Sequence, residues 1–81
     1  MDPKQALETV VRPKLEDSFG KAVAMLIIMS ATSAARVPIT ELNRQQYLAL
    51  VRALAQDERV LKMWGSSGTA GQLAQWEREV D

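Results

Sequence analysis

One long apolar run dominates the pattern of hydrophobic and polar positions along the chain. Residues 22–29 read Ala-Val-Ala-Met-Leu-Ile-Ile-Met, and small residues extend the run to Ala35, between Lys21 and Arg36. The run is too long and too rich in Ala and Met for a single strand, and its apolar positions do not alternate with polar ones. It therefore predicts a helix that is apolar on nearly every side and needs cover from protein or lipid.

Lipid is the less favoured cover for this helix. The uncharged span holds about 14 residues, which makes roughly 21 Å of helix against a hydrocarbon core of roughly 30 Å. The run also begins too far into the chain for a secretory signal. We therefore expect no membrane span. The small residues after Met29 favour close approach of another helix, with a small-ligand cavity beside Ser30, Thr32 and Ser33 as the less favoured alternative.

Capping signals and prolines divide the first half of the chain into two predicted helices. Asp2 is an N-cap for a first helix over about 3–11. Pro13 is expected to stop or kink that helix, because proline lacks an N–H group and disfavours helical geometry at the residue before it. The central helix is then predicted over about 13–35, with Pro38 shortly after its end.

The third predicted helix has the clearest amphipathic pattern in the chain. Thr40 is its expected N-cap, with Ile39 as half of a hydrophobic staple, and the helix covers 41 to about 56. Its apolar positions recur at helical spacing and are Tyr47, Leu50, Val51 and Leu54. This face is predicted to pack against the central helix.

Two short helices are predicted at the end of the chain. Asp57 is interpreted as a new N-cap for a helix over 58–64, because a straight continuation would bury a carboxylate without a partner. Residues 65–68 have the composition of a flexible loop. Thr69 then begins a capping-box pattern, which predicts a last helix through Glu79.

Size and composition limit the classes of function. The chain is predicted to be one all-α domain, residues 1–81, a small bundle of four to five helices around the central apolar helix. It has no Cys and no His, so thiolate ligands and the usual neutral-pH general base are missing. Its ten basic and ten acidic residues cancel, so no global field steers it toward nucleic acid. We expect no enzymatic activity, no cofactor, no metal site and a cytoplasmic location.

Five large apolar side chains are the candidate partner-binding residues. Met25 and Met29 lie one turn apart on the central helix with Ile28 beside them, and Met-rich surfaces adapt readily to partners. Trp64 and Trp76 flank the predicted loop, and large aromatic residues are enriched at interfaces. Core filling is the simpler interpretation of the methionines, whereas the tryptophans fit either role.

Two features could bind anions. Arg44, Arg52, Arg59 and Lys62 would share one sector if the third and fourth helices were collinear, and clustered cations suit phosphate contacts. A solvated helix face is the simpler explanation, because the net charge is neutral and stacking aromatics are missing there. The Gly-rich segment 65–71 could hold an anion on its amides, but it lacks the Lys and spacing of a P-loop, and a linker is the simpler explanation.

The leading hypothesis is a non-enzymatic helical protein–protein interaction module that self-associates or docks on a partner protein. Its basis is the central helix, which needs more cover than a few short helices supply. The first alternative is a nucleic-acid-binding helical domain that uses the four cations. The second is a small accessory subunit of an enzyme complex, or a carrier of an apolar ligand held beside Met25, Met29 and Thr32.

Overall fold

The computed structural model describes residues 1–38 and 40–81. Within these residues the chain forms three helices and no strand, namely α1 (Pro3–Ala35), α2 (Arg44–Leu54) and α3 (Glu58–Arg78). The all-α class is therefore confirmed, and the predicted number of four to five helices is wrong. Ile39, the expected staple residue, lies outside the described residues.

α1 continues through Pro13 because the turn before the proline is widened. Leu7–Val11 form a π-helical turn, in which the N–H of Arg12 donates to the carbonyl oxygen of Leu7. Such a turn shifts the carbonyl group that would otherwise clash with a proline ring inside a helix. The predicted boundary at Pro13 is therefore wrong. The predicted N-cap is confirmed, since the Asp2 carboxylate accepts a 3.2 Å hydrogen bond from the N–H of Gln5.

Two glycines break α1 and α3 without ending them. Gly20 has φ 81° and ψ 164°, and Gly65 has φ 75° and ψ 167°. Both lie in a backbone region that is essentially restricted to glycine, so each helix consists of two segments that meet at the glycine. We call residues 21–35 the distal segment of α1. The chain after Gly65 is helical, so the predicted loop is wrong, and Thr69 is a buried residue inside a helix rather than an N-cap.

The remaining helix ends are set by side-chain caps. α2 begins at Arg44 rather than residue 41, because Asn43 and Gln46 form a capping box. The Asn43 side chain accepts from the N–H of Gln46 at 2.8 Å, and the Gln46 side chain accepts from the N–H of Asn43 at 3.0 Å. Thr40 is therefore not the cap. Asp57 caps α3 as predicted, accepting from the N–H of Arg59 at 2.8 Å.

The core lies between α1 and α2, and α3 closes it. The predicted apolar face of α2 is confirmed, because its four residues are fully buried. α1 contributes residues from both sides of Gly20, including Leu7, Leu15 and Ile27, and α3 contributes Val60 and Trp76. The Tyr47 hydroxyl donates a 2.8 Å hydrogen bond to the Trp76 carbonyl oxygen and so joins α2 to α3.

Candidate partner-binding surface

The distal segment of α1 has a buried side and an exposed apolar side. Ala24, Ile27, Ile28 and Ala31 are buried. Successive helical residues are rotated by about 100°, so the opposite side of the cylinder carries another set. We call this set the distal face; it consists of Ala22, Met25, Leu26, Met29 and Ser33, all exposed. The expectation that this helix is covered on nearly every side is therefore met on one side only.

The exposure of the distal face is substantial for such large side chains. Met25, Leu26 and Met29 expose 52%, 55% and 52% of their surface. Three half-exposed side chains of this size, with their smaller neighbours, form an apolar patch on the order of 300 Å², comparable to the largest patch on a typical monomer. No charged residue lies between Lys21 and Arg36, so the patch is uncharged along its length.

Two of the five candidate partner-binding residues lie in the core. Ile28 and Trp76 are almost completely buried, so neither side chain is presented to a partner. Trp64 is half-buried, and Met25 and Met29 are on the distal face. The structure thus brings only the two methionines together on one exposed surface.

Trp64 belongs to an aromatic cluster whose side chains join α1 to α3. Its ring centre lies 6.1 Å from that of Phe19 and 5.9 Å from that of Trp76. Its Nε1–H donates to Ser18 Oγ at 2.8 Å, and the Lys14 ammonium lies 5.7 Å from the ring centre. These contacts fix the side chain within the fold, so Trp64 is chiefly a packing residue of this monomer.

The predicted cationic residues do not form an unpaired positive surface. Three of them pair with carboxylates at 2.8–3.1 Å, in the pairs Arg44–Asp81, Arg52–Glu77 and Arg59–Asp57. Hydrogen bonds from the Arg59 side chain hold the pKa of Asp57 below its ordinary value. Lys62 is exposed. Pairing cancels most of the charge that phosphate groups would require at this face.

α1 is also the helix, among the described residues, that is long and apolar enough to cross a membrane by length and composition. Core helices of soluble proteins and signal sequences satisfy the same criterion. The break at Gly20 leaves about 15 residues in the distal segment, or roughly 22 Å, which is shorter than a hydrocarbon core of roughly 30 Å.

Sequence reasoning missed the two glycine breaks and the contacts beside them. A signal was present, because each glycine directly follows an aromatic residue, in the pairs Phe19-Gly20 and Trp64-Gly65. These two aromatic residues contact each other in the fold. The hydrogen bonds from Trp64 to Ser18 and from Tyr47 to Trp76 join residues far apart in sequence, so no local sequence pattern predicts them.

Comparison with protein-family models, with curated proteins and with solved structures finds no match for this chain. The surface is therefore interpreted from its geometry and chemistry alone.

Proposed function

We propose that this protein is a non-enzymatic helical interaction module that pairs with a second copy of itself through the distal face of α1. The observation that carries the proposal is the uncharged apolar face opposite a complete core. The accessible surface of 4757 Å² is close to the roughly 4,850 Å² expected for a folded monomer of this mass. The exposure of the distal face is thus a local feature and does not come from an open fold.

The size of the face favours a weak and reversible pair. Burying roughly 300 Å² on each copy at about 25 cal/mol per Å² contributes about 15 kcal/mol, against an association cost of about 4–15 kcal/mol. A stable interface buries about 800 Å² per partner, more than this face offers alone. We therefore expect a dissociation constant between about 1 µM and 1 mM.

A second copy fits the face because a two-fold axis places the same patch on both sides of the interface. The distal face has large Met and Leu side chains beside the small Ala22 and Ser33. The large side chains of one copy can therefore pack against the small residues of the other. Only the ends bring like charges together, Lys21 against Arg36 in an antiparallel pair. Exposed pairs of this kind cost a few tenths of a kcal/mol, much less than the apolar gain.

This charge arrangement gives the proposal a distinctive salt dependence. Added salt screens the repulsion between Lys21 and Arg36 at the ends and strengthens apolar burial, so self-association should tighten as ionic strength rises. An acidic partner protein or an anionic membrane would instead be attracted by the same two cations, and its binding would weaken with salt.

Sedimentation equilibrium tests the proposal on the full chain, from about 10 µM to about 1 mM protein and from about 0.05 to 1 M salt. We expect a monomer–dimer equilibrium that shifts toward the dimer with salt. A monomer at every concentration would overturn the proposal, and so would association that falls as salt is added. Cosedimentation of the monomer with anionic vesicles, in place of dimer formation, would assign the face to a membrane surface instead.

Two methionines provide a matched pair of variants. Met29 on the distal face and Met63 on α3 expose 52% and 53% of their surface, so a charge at either position is solvated in the monomer. Met29→Glu would place a carboxylate inside the proposed interface and should abolish dimerisation, whereas Met63→Glu should leave it unchanged. Equal loss in both variants would contradict the assignment to the distal face.

A further inference from the structure

All four methionines of the chain lie at the surface. Met1, Met25, Met29 and Met63 each expose between 50% and 53% of their surface, and none of them belongs to the core. Methionine is more often buried, because its thioether side chain is apolar. The chain has no cysteine, so these thioethers carry all of its sulfur. An oxidant that reacts with protein sulfur therefore meets only exposed methionines in this chain.

Two of these methionines, Met25 and Met29, lie in the distal face. They are four residues apart, so their side chains are neighbours on the helix surface. Ser33 is the one residue of the distal face whose side chain carries a hydrogen-bond donor. The adjacent Thr32 hydroxyl already donates to the Met29 carbonyl oxygen at 2.8 Å. The distal face is therefore poorly equipped to pair with a polar atom introduced on either methionine.

Oxidation by hydrogen peroxide introduces such a polar atom. The methionine sulfur attacks one oxygen of the peroxide, the O–O bond breaks, and an S–O bond forms. The sulfur loses two electrons and the peroxide gains them. The departing oxygen leaves as water after it takes the proton of the oxygen that was attacked. The product is methionine sulfoxide, which is polar, disrupts Met-rich interfaces and is returned to the thioether by methionine sulfoxide reductases.

We propose that Met25 and Met29 form a reversible oxidation site that controls the pairing of two copies. This inference rests on the proposed pairing through the distal face. In the monomer water solvates each sulfoxide oxygen, because both side chains are half-exposed, so the fold persists. In the pair the same oxygens would be enclosed by apolar side chains, and a polar group without a partner is unfavourable there. Hydrogen peroxide therefore dissociates the pair and leaves the monomer folded.

Pairing should in turn protect the two methionines from the oxidant. Met63 on α3 is an internal reference, because it is equally exposed and lies outside the distal face. In dilute monomeric protein the three residues should be oxidised at similar rates. In concentrated protein the rates at Met25 and Met29 should fall in proportion to the paired fraction. Peptide mass spectrometry measures the added oxygen at each residue. Unchanged rates at Met25 and Met29 in paired protein would place the interface elsewhere and overturn this inference.

Sedimentation equilibrium of the full chain before and after peroxide treatment tests the control of pairing. The protein is oxidised while dilute, freed of peroxide and then concentrated. We expect the dissociation constant of the pair to rise at least about tenfold, with unchanged helical circular dichroism, and reductase treatment to restore pairing. A monomer before treatment would overturn the proposed function together with this inference. Undiminished pairing of protein oxidised at Met25 and Met29 would overturn this inference alone, and so would loss of the helical signal.

Leucine variants assign the effect to the two sulfur atoms. A double variant with Met25→Leu and Met29→Leu keeps apolar side chains of similar volume and removes both thioethers. It should pair like the unaltered chain and stay paired after peroxide treatment. Met63→Leu is the matched control, and it should pair before treatment and dissociate after it. Dissociation of the double variant by peroxide would assign the effect to another oxidised residue and contradict the site.

Discussion

α2 and the distal segment of α1 both bury apolar residues, but only in α2 does the sequence pattern show which side of the helix is buried. In α2 the apolar residues form one stripe and polar residues such as Gln45 and Arg52 mark the opposite side, so the stripe is buried as predicted. The distal segment is apolar around the cylinder, and its pattern does not distinguish Ile28, which is buried, from Leu26, which is exposed. Periodicity therefore identifies a buried face only when polar residues mark the other face.

Truncation of one leucine in each helix tests this difference most strongly. Leu50→Ala in α2 removes a fully buried side chain and should lower the free energy of unfolding by about 2–5 kcal/mol. Leu26→Ala should change it by less than about 0.5 kcal/mol, because that side chain is half-exposed and little cavity results. Urea unfolding of dilute protein gives both values. Similar losses in the two variants would mean that the distal face is covered within the monomer.

The two helices also differ in backbone geometry, because the break at Gly20 sets the direction of the distal segment and α2 has no such break. Gly20→Ala meets no atom within 4 Å, so the strain comes only from its φ of 81°. We expect a loss of about 1–3 kcal/mol in the free energy of unfolding.

Gly71→Ala is the control for this variant, because it also has open space but no positive φ. It should stabilise the protein by about 0.5–1 kcal/mol, since alanine favours a helix over glycine. If Gly20→Ala were stabilising as well, the two segments of α1 would form one straight helix in solution. A different set of residues in the distal segment would then be exposed.

A smaller loss than that of Leu50→Ala or Gly20→Ala is expected when the hydrogen bond that joins α2 to α3 is removed. Tyr47→Phe removes the bond to the Trp76 carbonyl oxygen and should lower the free energy of unfolding by about 1 kcal/mol at neutral pH. Desolvation raises the pKa of Tyr47 above its ordinary value, and the charge of Glu79 raises it further. The folded state thus favours the protonated phenol.

This pKa shift predicts a loss of stability at alkaline pH. The contribution of the protonated Tyr47 phenol to the free energy of unfolding is fully present below the pKa of an unfolded tyrosine, about 10. It is lost as the pH rises toward the higher pKa of Tyr47 in the folded state. Tyr47→Phe should flatten this alkaline decline, as measured by urea unfolding across the pH range. The chain has one tyrosine, so phenolate absorbance follows this group alone. Ordinary titration near pH 10 in the folded protein would contradict the burial.

Local signals predicted much of the fold, and the errors have physical causes. The caps at Asp2 and Asp57 and the buried face of α2 follow from interactions within a few residues, so the sequence contains them. The predicted helix boundary at Pro13 is wrong because a π-helical turn lets the helix continue. The predicted loop over 65–68 is wrong because one residue, Gly65, in a glycine-only conformation can redirect a helix without a loop.

The candidate surfaces were less predictable than the fold. The spacing of Met25 and Met29 predicts that they share one face of the helix. Their exposure, however, depends on which side of the distal segment packs against the rest of the fold, and long-range packing decides that side. Thr69 is predicted as an exposed N-cap, but it is buried inside a helix, and its hydroxyl oxygen has no hydrogen-bond partner among the described residues. Three of the four proposed cations are paired with carboxylates, and two of these pairs join residues more than twenty positions apart in sequence.

The contact between the two tryptophans also gives the molecule a built-in optical reporter. The rings of Trp64 and Trp76 lie 5.9 Å apart at a fixed angle, close enough for their electronic transitions to couple. Coupled indoles in a fixed arrangement produce near-ultraviolet circular dichroism that disappears when side-chain packing is lost, even if the helices persist. The packing of the two segments of α3 on either side of Gly65 can therefore be followed spectroscopically without any label, separately from the helical content of the chain.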